Sequence, residues 1–447
     1  MIITEHLSTR TILRFWAPLA GTWLMMAVEG PLIAAIIARL PDARENLAAY
    51  GVAFAFGLLL ESPVVMLLSA ATVLAEDRDS YLTLRRFGYG LSGLLTVVMV
   101  IAVFPPVFDW LAGSLFGLPE EVRGLTHGAL VFLLPWPAAI GYRRFKQGLL
   151  IRHGLTRQVA TGAVVRLAVM AATAVVLALA TPLRGAYVGT FALSAGVIAE
   201  AFVAGRMARR AVRALERNPI GTRGRLTMRQ TAVFYVPLAL TSMLAMGTQP
   251  MVTFFMGESR MAVESLAVLP VVSGLTFIFR SLGLSFQEVG LVLLGPRMEH
   301  FRSLRSFALI LAFAASAGLA AIAYSPVAFI WFQGISGLST MLTEFAIPPL
   351  RLLVLLPALS VVLSLQRSML LTARRTTSIT LASGAEIVTI AGLLWVGIHV
   401  FDVVGVISAA VALVIGRFLT NLWLIWPCWQ VKALRRSRRP ATQIETV

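Results

Sequence analysis

The chain has 447 residues, of which 58% are hydrophobic and only 13% charged, with a mean hydropathy of +0.83. Soluble domains are closer to half apolar and a quarter charged, so this composition excludes a water-soluble fold and places the chain in a bilayer. The net charge of +17 invites a nucleic-acid reading, but the way the charge is distributed along the chain argues otherwise.

Apolar stretches of at least about 18 residues, each able to cross roughly 30 Å of hydrocarbon as a helix, recur along the whole length. Twelve are predicted, near 11–38, 47–75, 87–116, 123–151, 158–180, 186–208, 230–256, 263–294, 305–333, 343–371, 378–400 and 403–428. The first carries Pro18 and Pro31, which each remove a backbone bond and loosen the helix, with Glu29 between them. The second holds Glu61-Ser62-Pro63 near its centre, and the third has Pro105-Pro106 toward its end. The fourth ends in Arg143, Arg144 and Lys146; basic side chains this near a helix end are expected to snorkel to the headgroups, with a basic inner vestibule as the other reading. Arg166 and Glu200 lie deep in the fifth and sixth. Beyond a basic linker come Gln249, Arg280, Arg351, Glu386 and Arg417 inside later spans.

The second half repeats the first. Phe15-Trp16-Ala17-Pro18-Leu19-Ala20 returns as Phe234-Tyr235-Val236-Pro237-Leu238-Ala239, and Glu29-Gly30-Pro31 as Thr248-Gln249-Pro250. Pro137-Ala138 with Gly148-Leu149-Leu150 likewise faces Pro357-Ala358 with Ser368-Met369-Leu370. The chain is thus one six-span unit of about 220 residues written twice. The expected organisation is an N-terminal lobe (1–208), a basic linker (209–229), a C-terminal lobe (230–428) and a basic tail (429–447).

With alternate connections on alternate sides, five of the 38 Lys and Arg (Arg39, Arg44, Arg123, Arg184 and Arg260) face one side and the great majority face the other. This is the positive-inside bias. It predicts a plasma or inner-membrane protein with both termini, linker and tail cytoplasmic, its basic segments near anionic lipid headgroups rather than nucleic acid. A single cysteine, Cys428, excludes an internal disulfide, and the five scattered histidines offer no ligand pair, so neither metal nor cofactor is expected. Neither lysine lies in a Gly-rich phosphate loop, which argues against ATP hydrolysis. An enzyme or scaffold reading finds no nucleophile or paired catalytic acid.

A charge at mid-membrane costs roughly 2.5–3.5 kcal/mol on insertion scales, so it should face a partner or a watery cavity. In the repeat register Glu61 coincides with Arg280, Arg166 with Glu386, and Glu200 nearly with Arg417, each with inverted sign. Two accounts fit. The charges could be internal salt bridges, Glu61 with Arg166 and Arg280 with Glu386. Alternatively Arg166 and Arg280 line a cavity as anion ligands, Gln249 adds hydrogen bonds, Glu29 and Glu61 bind or couple, and Glu200, Glu386 and Arg417 gate.

The doubled Phe-aromatic-x-Pro-Leu start, together with Gln249-Pro250, Val252 and Gly257, resembles the multidrug and toxic compound extrusion (MATE) and lipid-flippase superfamily. Leu47-Ala48-Ala49-Tyr50-Gly51 with Ala53, the run Gly148 to His153, and Phe234 to Leu240 are similar to the progressive ankylosis protein family within it. The resemblance implies an all-α polytopic protein with twelve transmembrane helices in two pseudo-symmetric six-helix lobes around a cavity that opens to alternate sides. For the ankylosis branch it implies export of pyrophosphate, citrate or nucleotide. Cation-coupled drug-efflux members carry an acid about a turn after the first-helix proline, where this chain has Ile36-Ile37. The expectation is a monomeric exporter of a small anion; proton- or sodium-coupled efflux of organic cations and flipping of a lipid-linked anion are the alternatives.

Overall fold

The computed structural model describes residues 7–115, 117–217, 226–295, 298–373 and 375–437. Among these there is no strand; eleven helices are long and apolar enough to span a membrane, and a bent pair makes the twelfth. The spans are α1 (Thr9–Ile37), α2 (Ala43–Val65, continued as Leu67–Leu74), α3 (Arg78–Val103), α4 (Glu120–Val131 with Trp136–Arg152), α5 (Thr156–Ala180) and α6 (Gly185–Met207). The second half supplies α7 (Met228–Gly257), α8 (Ala262–Leu293), α9 (Phe301–Ala323), α10 (Thr340–Thr372), α11 (Thr376–Trp395) and α12 (Gly405–Ser437).

Local chemistry sets the ends. Ser8 caps α1 by accepting from the Thr11 amide, and capping boxes start α3 (Asp77 with Ser80) and α7 (Thr227 with Gln230). The third expected span stops early, at Val103. Pro105 forbids helical backbone at Phe104, which is extended, and a short separate helix Pro105–Trp110 follows. Span four bends by 46° between its halves, around Pro135. The loosening expected in α1 does not break it: the helix runs through both Pro18 and Pro31. Pro31 is braced by α8, where a Cβ on Gly274 would lie 2.9 Å from the Pro31 ring. A second close approach across the seam puts the Pro270 ring of α8 2.9 Å from a Cβ on Gly51 of α2.

The packing repeats with the sequence. In the first half α5 pairs with α6, α4 with α6, and α1 with α5; in the second α11 pairs with α12, α10 with α12, and α7 with α11. Between halves α1 lies on α8 and α7 on α2, the same contact under exchange of halves. Two six-helix lobes related by pseudo-two-fold symmetry therefore meet along α1, α2, α7 and α8. Part of the linker is a helix, Arg209–Arg217, with Ala211 and Leu215 buried. Linker residues 218–225, with Arg223 and Arg225, and tail residues 438–447, with Arg438 and Arg439, lie outside the described residues.

Candidate functional site: two clusters of intramembrane charge

The first cluster forms where α1, α4, α5 and α6 converge. Gly196 permits it, since a Cβ there would stand 3.0 Å from the carbonyl oxygen of Arg166. With α6 that close to α5, Glu200, one turn on from Gly196, comes level with Arg166. Nη2 of Arg166 donates to Oε1 of Glu29 on α1, and its Nε lies 3.5 Å from Oε2 of Glu200. Glu200 is 1% exposed and fully engaged: Arg143 of α4 donates to its Oε2, and the Gln147 amide donates to its Oε1 at 2.9 Å. Glu61 of α2 has no hydrogen bond or ion pair among the described residues, but Arg143, Arg144 and Arg166 act on it electrostatically. Three carboxylates and three guanidiniums thus share the first-lobe interior.

The second cluster is built differently. Glu386 of α11 accepts from Nε of Arg417 on α12 at 2.7 Å. Nε of Arg280 on α8 has only the Ser360 hydroxyl of α10, at 3.4 Å, and Nη2 of Arg367 on α10 has only the Ser383 hydroxyl of α11, at 3.3 Å. The ionised groups acting on Arg280 and Arg367 are the same two, Arg417 and Glu386. Three guanidiniums therefore share one carboxylate. Gln249, partly buried on α7, engages only through its backbone carbonyl, which accepts from Thr253 at 3.1 Å; its side chain has no partner among the described residues.

These partners correct the expected pairing. Arg166 meets Glu29 and Glu200 instead of Glu61, because α1 and α6 flank α5 while α2 does not. Glu386 pairs with Arg417 instead of Arg280, because α11 packs on α12. Snorkelling fails for Arg143, which is 4% exposed and points at Glu200. Arg143, Gln147 and Arg367 were missed as site residues. The repeat held a signal for the last: aligning Gly148 with Ser368 puts Arg367 in the register of Gln147.

On the side of the α1–α2 turn the lobes are tied together. Arg44 of α2 pairs with Glu264 of α8 at 2.8 Å. Arg39 donates to the carbonyls of Gly334 and Ile335, beyond α9, at 2.7 and 2.8 Å. Near the opposite ends of the seam helices, the Trp16 indole of α1 donates to the Ser285 hydroxyl of α8 at 2.8 Å, and Tyr235 of α7 donates to the Pro63 carbonyl of α2.

Fold and charge placement together define a polytopic α-helical membrane protein of two six-helix lobes with ionised groups inside each lobe. No protein-family model and no curated protein sequence matches the chain. Solved structures do match over nearly its full length. One is the inward-facing conformation of a multidrug resistance MATE family transporter of the MOP superfamily, at 15% identity over 94% of this chain and 96% of that one, with a TM-score of 0.74. Another is the lipid II flippase MurJ in an inward closed conformation, at 13% identity over 94% and 91%, with a TM-score of 0.71. A third is a MOP superfamily transporter from Pyrococcus furiosus, described by the reverse polarity of its binding pocket, at 16% identity over 96% of each chain, with a TM-score of 0.64. The chain has the fold these proteins share.

Proposed function

We propose that this protein is an alternating-access membrane transporter that exports a small anionic solute. The observation that carries the reading is the second-lobe imbalance: Arg280 and Arg367 sit inside the spans with hydroxyl partners only, and one carboxylate serves three guanidiniums. Cations so placed are stabilised by an anion that visits them. Arg280 and Arg367 hold the anion, and Gln249 supplies hydrogen bonds from the seam. In the first lobe Arg166 is held by Glu29 and Glu200, so it reaches substrate only when one of them yields; Glu29, Glu61 and Glu200 are the coupling groups, and the Glu386–Arg417 pair gates. Pyrophosphate, citrate and nucleotide, the solutes implied by the resemblance to the progressive ankylosis family, all carry the required charge. Efflux of organic cations fits poorly, since the second-lobe cluster would repel them.

The ties made by Arg39 and Arg44 close one side of the seam, as a transporter opening to alternate sides requires. The reading is tested by efflux of radiolabelled pyrophosphate and citrate from proteoliposomes. A charge-assisted hydrogen bond contributes roughly 1.5–3 kcal/mol, so Arg280→Gln should weaken apparent affinity about 10- to 100-fold. Glu386→Gln should tighten it and slow release. Unchanged efflux of both anions in Arg280→Gln and Arg367→Gln would overturn the proposal. The shared fold of the lipid II flippase supports a second reading, transfer of a lipid-linked anion; efflux of the free anions with no lipid carrier argues against it.

A further inference from the structure

A cavity outside the charge clusters lies on the second lobe, among α9, α10 and α12, with a volume of about 300 Å³. Its walls are apolar, with Leu309, Leu365 and Ile425 among them, and two cations stand at it: Arg305, one turn into α9, and Lys432, near the end of α12. Both belong to the helix ends that the positive-inside bias assigns to the cytoplasm. Arg305 is exposed and has no acidic partner among the described residues, and the Lys432 ammonium lies 4.7 Å from the ring centroid of Phe301, which holds it over the opening. Trp429, 60% exposed, flanks the cavity and stacks on Trp426 with ring centroids 5.5 Å apart. Such an indole pair marks the membrane–water boundary.

The cavity also contains a polar group that the fold does not satisfy. Gln366 of α10 is 8% exposed, and its amide nitrogen donates to the Asn421 carbonyl at 2.9 Å. Only the nitrogen can donate to a carbonyl, so the orientation is fixed and Oε1 is the atom left buried without a partner. Six residues from the end of α10, Gln366 lies about 9 Å below that end, and Arg305, four residues into α9, about 6 Å below its own. The acceptor and the cation thus both lie within two turns of the helix ends that border the cavity.

We propose that this groove is a binding site for an anionic phospholipid of the cytoplasmic leaflet: an acyl chain against the apolar walls, the phosphate between Arg305 and Lys432, and a headgroup hydroxyl donating to Gln366 Oε1. Basic pockets between spanning helices on the cytoplasmic side recognise acidic headgroups through this chemistry. Phosphatidylglycerol, with one net negative charge and free hydroxyls, meets all three requirements; phosphatidylcholine has the chains and a phosphate, but its quaternary ammonium cancels the net charge and it has no headgroup hydroxyl. The site is separate from the proposed solute path and does not depend on it.

The test uses the full-length protein in detergent, titrated with phosphatidylglycerol or phosphatidylcholine and read by native mass spectrometry. Near an anionic surface each cation contributes about fivefold in affinity, so Arg305→Gln with Lys432→Gln should weaken phosphatidylglycerol binding about 25-fold and leave phosphatidylcholine unchanged. Arg302→Gln, on the exposed first turn of α9 but outside the groove, should change neither. Gln366→Leu should weaken phosphatidylglycerol but spare phosphatidic acid, which lacks the hydroxylated headgroup. Equal binding of both lipids by the parent protein, or phosphatidylglycerol binding unchanged in the double variant, would overturn the site. Should the double variant misfold, Leu309→Trp, which fills the groove from its exposed wall without touching a charge, must still displace the lipid.

Discussion

Glu200→Gln is the most informative single perturbation of the buried network. Glu200 accepts from Arg143 and Gln147 and lies 3.5 Å from Arg166. Neutralising it leaves Arg166 its bond to Glu29, but leaves Arg143, 4% exposed, as a buried cation that has lost its one ion-pair partner among the described residues. Removing one member of a buried pair costs roughly 3–5 kcal/mol, whereas replacing both by apolar groups of similar size is often near neutral. Glu200→Gln should therefore destabilise the protein by about that amount, and Arg143→Met added to it should restore most of the loss. Arg143→Met alone should cost less, since Arg166 remains to neutralise Glu200. The assay is equilibrium unfolding in mixed micelles of the parent, both single variants and the double variant, analysed as a thermodynamic cycle. A Glu200→Gln protein within about 0.5 kcal/mol of the parent, or a double variant equal to the sum of the singles, would refute the reasoning.

Two further outcomes follow from the packing and the ties between lobes. Gly196→Val would force a branched side chain against the Arg166 backbone and should cost about 1–3 kcal/mol by overpacking. Gly162→Ala, whose Cβ would stand 3.5 Å from Glu200 in ordinary contact, should be tolerated; equal stability of the two variants in thermal unfolding would contradict the close approach. Arg44→Gln with Arg39→Gln removes a partly buried ion pair worth about 1 kcal/mol and two hydrogen bonds of about 1 kcal/mol each. The side bearing the α1–α2 turn should then open more often, seen as faster thiol labelling of a cysteine placed beside Gly334, and an unchanged rate would show that these contacts do not hold it shut.

Much of the architecture is legible in the sequence alone. Span number follows from runs of apolar residues, and the duplication from prolines recurring at one spacing; both are properties of the chain read locally. Proline also sets local limits, and the early end of α3 at Val103 follows from Pro105 once the residue before a proline is denied helical backbone. What local reading overstated was the effect of Pro31, because the brace that carries α1 through it, Gly274, comes from a helix in the other half.

For the buried charges the sequence determined which residues must find partners and roughly how deep they lie, since mid-membrane charge is costly wherever it occurs. Only the tertiary structure decided who meets whom. Glu61 and Arg166 occupy the register positions of Arg280 and Glu386, yet Arg166 turns to Glu29 and Glu200, and Glu386 to Arg417. A helix rotates its side chains by about a hundred degrees per residue, so depth is fixed by position along the chain, while direction depends on which neighbours pack against it. That dependence made Arg143 a buried partner instead of a headgroup contact, and left Arg280 and Arg367 hydrogen-bonded to hydroxyls, with no salt bridge of their own among the described residues.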